Sequence, residues 1–224
     1  MTIEFLPEKD SKIVTTLHDV LNLKRELSES YKDLIRKQEE RDFYLPQEFS
    51  EHWGRFFKEP DDFPNTYKLF TERLVGNLLI DVGGGSGYSD FAHKFGAATY
   101  INVDRDIGSK ETPPNPLVAL DDKIVDGLHI LDVKSDMLDF VSHVKDDSAN
   151  FMLNGIDICV IDDVEYHKAL ALELARATKP GGLVFGVDSH IDWIWEGLGD
   201  KAPLRKKKTD PWLIINTFIY QKSE

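Results

Sequence analysis

The sequence predicts an α/β fold, a mostly parallel sheet flanked by helices, with a helical extension ahead of it. Three observations carry this expectation. The runs Leu78-Leu79-Ile80 and Ile158-Cys159-Val160-Ile161 are continuously apolar, which suits strands buried on both faces. Segments of helical spacing alternate with such runs. A glycine cluster, Gly83-Gly84-Gly85-Ser86-Gly87, stands directly behind the first run and ahead of a helical segment.

Taken in order, residues 1–76 read as helical. Val14, Leu17, Val20, Leu21, Leu27, Tyr31, Leu34 and Ile35 recur every three to four residues, on one helix face. Thr16 followed by Asp19 is a capping-box-like start. A second segment carries Phe49, Trp53, Phe56 and Phe57 between Pro46 and Pro60, and a third carries Tyr67, Phe70 and Leu74 before Gly76. From residue 77 the spacing predicts strands at Asn77–Val82, Thr99–Asp104, Leu128–Val133, Ile156–Asp162 and Leu183–Asp188. Helices are expected at Tyr88–Phe95, near Leu138–Val144 and at Tyr166–Thr178. The last of these is stopped by Lys179-Pro180-Gly181-Gly182. Arg105–Asp122, with Pro113, Pro114 and Pro116, reads as irregular. Trp212–Tyr220 reads as a final strand, and Leu204–Lys208 as a short edge strand guarded by lysines. Two units follow: residues 1–76 as a helical extension or lid, and 77–224 as the main domain.

Composition narrows the function. The net charge is −13, so a phosphate backbone would repel the chain and nucleic acid is an unlikely partner. That excess sits between residues 77 and 200, while the last 24 residues are net positive. The single cysteine, Cys159, excludes an internal disulfide and a Cys-rich zinc module. The start MTIEFLPEKD lacks a secretory pattern, and no apolar run is long enough to span a bilayer. The expectation is a soluble, cytoplasmic protein with no membrane partner.

The glycine loop is the strongest motif. In Asp81-Val82-Gly83-Gly84-Gly85-Ser86-Gly87, glycines let the backbone turn sharply and approach a ligand. The dinucleotide pattern G-x-G-x-x-G fails, because Tyr88 stands at the third position. An acid, Asp81, precedes the loop instead, which suits a cationic ligand better than a phosphate.

The run Asp81-x-Gly83-x-Gly85-x-Gly87 resembles the first motif of the class I S-adenosylmethionine-dependent methyltransferases, and the layout of residues 77–221 is similar to theirs. The resemblance implies a Rossmann-like, seven-stranded sheet and S-adenosylmethionine as cofactor. It implies cofactor contacts from Asp81, Gly83, Gly85 and Gly87, from Asp104 to the ribose hydroxyls, from Asp136 and Met137 to adenine, and from Asp162 at the methyl-transfer region. A carboxylate suits a diol because it accepts two hydrogen bonds. Lys179-Pro180-Gly181-Gly182 resembles the family's turn before its fifth strand.

The fold does not name the acceptor. The tetrapeptides Asn-Pro-Pro-Tyr and Asp-Pro-Pro-Tyr of many amino-group enzymes are missing, which points to an oxygen or carbon acceptor on a small molecule. Ile161-Asp162, Pro180-Gly181-Gly182 and Asp188-Ser189-His190 also resemble divalent-metal-dependent O-methyltransferases, including some that act on sugars of natural products. Asp162 and Asp188 would then hold Mg²⁺, which prefers oxygen ligands and acidifies a bound hydroxyl. The sequence departs from that pattern at Glu165 and His167. Without a metal, His167 or His190 would serve as general base beside Asp162. The alternatives are a non-catalytic binding module, disfavoured by the intact loop, and a protein or RNA methyltransferase, disfavoured by the lack of a basic face. A homodimer is left open.

Overall fold

The computed structural model describes residues 16–39, 63–85, 87–109, 111–154, 163–187, 189–207, 210 and 217–224, with backbone only at Glu39 and Asn154. Its centre is an eight-stranded sheet, one strand more than expected. The strands are β1 (Leu78–Val82), β2 (Thr99–Asp104), β3 (Ala119–Val125), β4 (Leu128–Lys134), β5 (Asn150–Asn154), β6 (Leu183–Val187), β7 (Arg205–Lys206) and β8 (Thr217–Gln221). Their spatial order is β3-β4-β2-β1-β5-β6-β8-β7. The pairs β1–β2, β2–β4, β1–β5 and β5–β6 are parallel, and β3, β7 and β8 join antiparallel at the two edges. The described helices are α1 (Leu17–Val20), α2 (Glu29–Glu39), α3 (Pro64–Leu74), α4 (Ser89–Lys94), α5 (Met137–His143), α6 (Val164–Ala177) and α7 (His190–Leu198).

Two corrections concern the sheet. The fourth parallel strand was expected at Ile156–Asp162, but Asn150–Asn154 occupies that place between β1 and β6. Phe151, Met152 and Leu153 are the buried triad that earns the position, each no more than 1% exposed. Asn150 stitches the neighbours together: its amide donates to the Leu78 carbonyl (3.2 Å), and its oxygen accepts from the Leu183 amide (2.9 Å). The predicted strand, with Asp157 and Cys159, lies outside the described residues. The second correction is β3, which falls partly within the stretch read as irregular. It forms a two-residue hairpin with β4 through Asp126-Gly127, both at positive φ (48° and 87°), the geometry of a type I′ turn.

The sheet separates two cores. On one face α5 and α6 pack with α1 and α2, and Tyr166, Phe140, Leu170, Leu174 and Trp195 fill the space between. On the other, α3 and α4 set Phe70, Phe91 and Phe95 against Phe185 of β6, with ring centroids 4.6–5.5 Å apart. Burying each such ring is worth roughly 2–3 kcal/mol.

The helical face expected across 14–35 is interrupted after α1, and Val14 lies outside the described residues. Leu21 leaves the helix to bridge Val144, and the Asn22 amide donates to the His143 carbonyl (2.7 Å). Tertiary pairing there outweighs helical propensity. The capping contact at Thr16 is present, with Asp19 accepting from its amide and hydroxyl (3.0 Å each). Helix α3 has no cap of its own and borrows Asp210, which accepts from the Thr66 amide and hydroxyl (2.9 Å each) and from Asn65 (2.8 Å). Burial raises the Asp210 carboxyl, but these bonds outweigh it and hold the group below its ordinary value. Phe49, Trp53, Phe56, Phe57 and most of the predicted last strand lie outside the described residues. Among the described residues no helix is long and apolar enough to cross a membrane.

Candidate active site at the strand ends

Strands β1, β2, β4, β5 and β6 all run the same way, so their carboxyl ends share one edge. The sheet order reverses between β1 and β5, which opens a crevice at the end of β1. The glycine loop begins there. Gly83, Gly85 and Gly87 all have positive φ (75°, 55° and 81°), a region side chains seldom adopt. At Gly84 the constraint is contact: a Cβ would stand 2.4 Å from Asn102 Oδ1 and 2.7 Å from the Asp81 carboxylate. At Gly85 the space a Cβ would enter is open.

The loop rests on one face of β2. Tyr100, Asn102 and Asp104 alternate along that strand and so point the same way. The Tyr88 amide donates to the Tyr100 hydroxyl (2.6 Å), which donates to Asp81 (2.6 Å). Burial first, then the Asp81 charge, pushes the Tyr100 phenol well above its ordinary value, so it stays a donor. Asn102 links Gly85 (3.4 Å) to Asp132 (3.1 Å). Asp104 accepts the Gly85 amide on one oxygen (2.9 Å) and the Asp106 amide on the other (2.7 Å). Each oxygen keeps a second lone pair. Burial raises the Asp104 carboxyl, and the two amides partly offset that. Asp81 is fully buried beneath the loop. The sequence reading passed over Tyr100 and Asn102, although the alternation Tyr-Ile-Asn-Val-Asp was visible.

At the end of β4, Asp136 is the N-cap of α5. Its Oδ1 accepts from the Leu138 amide (2.9 Å), the Asp139 amide (3.2 Å) and the Tyr166 hydroxyl (2.9 Å). All three bonds converge on that one oxygen. Burial pushes the carboxyl up to about 6 against the pull of these donors. Met137, beside it, is buried. Tyr166, from the first turn of α6, is a supporting residue the sequence did not single out.

The two histidines expected near the methyl-transfer region come together. His167 in α6 and His190, the first residue of α7, stack with ring centroids 4.3 Å apart. Trp193 meets His190 edge-on (4.9 Å) and is 60% exposed, whereas Trp195 is buried against Tyr220. Asp162 and Asp188, the metal candidates, lie outside the described residues. Among the described residues no cluster of three or more His, Cys, Asp or Glu side chains could hold an ion. Near the end of the chain Arg205 meets Asp200 (3.4 Å), and Lys206 meets Asp192 (2.9 Å) and Glu196.

No family model matches the sequence. The chain is 32% identical over 127 residues to an uncharacterized methyltransferase of Mycobacterium avium, a match covering 55% of this chain and 43% of the relative. It is 35% identical over 129 residues to one from Mycobacterium marinum, covering 55% and 42%. The chain thus spans less than half the length of these relatives. A solved Burkholderia thailandensis 1,6-didemethyltoxoflavin-N1-methyltransferase aligns over 92% of this chain and 94% of its own at 10% identity and a TM-score of 0.43, too low to carry weight. Strand order and a glycine loop at the switch point give the chain a Rossmann-like α/β fold, and over about 55% of its length its sequence is similar to that of the mycobacterial methyltransferases.

Proposed function

We propose that the chain is an S-adenosylmethionine-dependent methyltransferase acting on a hydroxyl of a small, natural-product or sugar-like acceptor. The observation that carries this is the glycine loop at the switch point with Asp104 bonded beneath it. The residues fit the cofactor. Open space lies over Gly85, Asp104 keeps lone pairs for a diol, and the bonds to Asp136 leave Oδ2 to face an amino group. Gly83, Gly85 and Gly87 let the backbone approach closely, Asp81 orders the loop from below, and Met137 packs beside the adenine. When bound, the cofactor supplies an electrophilic sulfonium methyl group.

The chain's own part is alignment and proton handling. His190 is partly exposed and stands beside Trp193, so it takes the acceptor's proton, with buried His167 stacked behind it. Asp162, which the resemblance sets at the same region, is proposed as a further contact there. A bound Mg²⁺ on Asp162 and Asp188 would be an addition to this scheme rather than a condition of it. Residues 1–76 are proposed to cover the acceptor. The test is calorimetric titration with S-adenosylmethionine and S-adenosylhomocysteine, followed by labelled-methyl transfer to a panel of hydroxylated small molecules. Binding of neither compound would remove the basis of the proposal.

A further inference from the structure

The far edge of the sheet carries a feature the site does not use. Strand β3 is the outermost strand, and among the described residues none pairs with its outer side. Apolar side chains are exposed along it and just ahead of it: Leu120, Ile124 and Val125 in the strand and Leu117 and Val118 before it are 38–57% exposed. A seven-residue, exposed edge strand with this composition is a template for another strand.

The outward backbone groups can be assigned. In a two-residue hairpin the closing pair, here Val125 and Leu128, exchanges hydrogen bonds, so residues 121, 123 and 125 bond to β4 and residues 120, 122 and 124 face outward. The structure agrees at the centre, where the Asp122 amide turns from the ladder to the Asp121 carboxylate (3.1 Å).

The sequence of this edge is complementary to itself. We propose that β3 pairs antiparallel with β3 of a second copy about a two-fold axis at Asp122, joining two sheets into one. Leu120 then stands opposite Ile124 twice, apolar against apolar. Asp121 stands opposite Lys123 twice, acid against base. Moving the axis by one residue either way sets Leu120 or Ile124 opposite Asp122 and loses the Asp–Lys pairs. The one like-charged meeting is Asp122 with Asp122, and on each copy that carboxylate also lies 2.6 Å from His129 Nε2. Within one chain Lys123 already bonds Asp121 (2.7 Å), so the partner's acid extends an existing charge cluster. The bulge between Ala119 and Asp121 confines the ladder to the short Leu120–Ile124 stretch, which predicts a dissociation constant on the order of micromolar rather than nanomolar.

Sedimentation across roughly 1–200 µM tests this on the full chain. The expected result is a species of twice 25.6 kDa at the upper end. Asp121→Lys sets lysine opposite Lys123 twice and should weaken the dimer about tenfold or more. The reversed pair, Asp121→Lys with Lys123→Asp, should restore it. Both substituted residues are exposed, so thermal melts should show each variant folded. A monomer throughout overturns the proposal and leaves the edge to a different chain. So does a dimer indifferent to Asp121→Lys, or a loss that the reversed pair does not rescue.

Discussion

Asp136 sets a stability penalty that one substitution should remove. Its carboxyl is pushed up to about 6 from an ordinary 3.8 by burial, and three donors fall on Oδ1. Between these values the native chain holds a proton that the unfolded chain has released. Stability therefore falls as pH rises through that window and levels off above it. A shift of about 2 units at 1.36 kcal/mol each gives about 3 kcal/mol lost at pH 7.5. Asp136→Asn keeps an acceptor for all three donors and carries no charge. It should match the parent below about pH 4 and exceed it by up to about 3 kcal/mol at pH 7.5, roughly 6–12 °C in Tm for a chain of this size. Urea denaturation of both proteins from pH 3.5 to 7.5 reads the difference directly. The neutral side chain should also weaken cofactor binding, since it swaps an acceptor for a donor, and stability would rise as function falls. A variant less stable than the parent at pH 7.5 by more than about 1 kcal/mol, or a difference that does not change with pH, would refute the reasoning.

Other outcomes follow from the same geometry. Gly84→Ala places a methyl 2.4 Å from Asn102 Oδ1 and 2.7 Å from Asp81, so it should lower stability by roughly 1–3 kcal/mol and cut cofactor affinity, both measurable in a melt with and without ligand. His190→Gln should lower kcat by roughly 100-fold with little change in the cofactor's Kd; an unchanged kcat would move the proton-accepting role elsewhere. Because His190 is the proposed base, activity should survive EDTA, and its loss with recovery on adding Mg²⁺ would shift the account to Asp162 and Asp188.

Much of the architecture was legible because burial on both faces leaves a plain trace. The strands ending at Val82 and Asp104 and the helix stopped by Lys179-Pro180-Gly181-Gly182 were read to within two residues. The fourth strand was misplaced because Ile158–Ile161 is longer and more apolar than Phe151–Leu153. The true strand is bracketed by asparagines, and the buried role of Asn150 is a tertiary fact invisible in composition. Strand β3 was hidden by prolines before it and charges within it, although the Asp126-Gly127 turn was there to be read. In the site, the residue types at the strand ends were legible, but their division of labour was not. Asp81 looked like a ligand-facing acid and lies fully buried under the loop, because Tyr100 from the next strand reaches across to bond it. The pairing of His167 with His190 joins residues from two helices whose first turns only the fold brings together.

The central claim is that the crevice at the end of β1 holds S-adenosylmethionine through Asp104. Calorimetry of the parent and of Asp104→Asn with S-adenosylhomocysteine tests it most directly. Asparagine can still accept the Gly85 amide but offers the diol one acceptor oxygen in place of two. The account predicts one site per chain in the parent and an affinity at least tenfold lower in the variant, with the fold intact. Equal affinity in both proteins, or no binding to the parent, would contradict it.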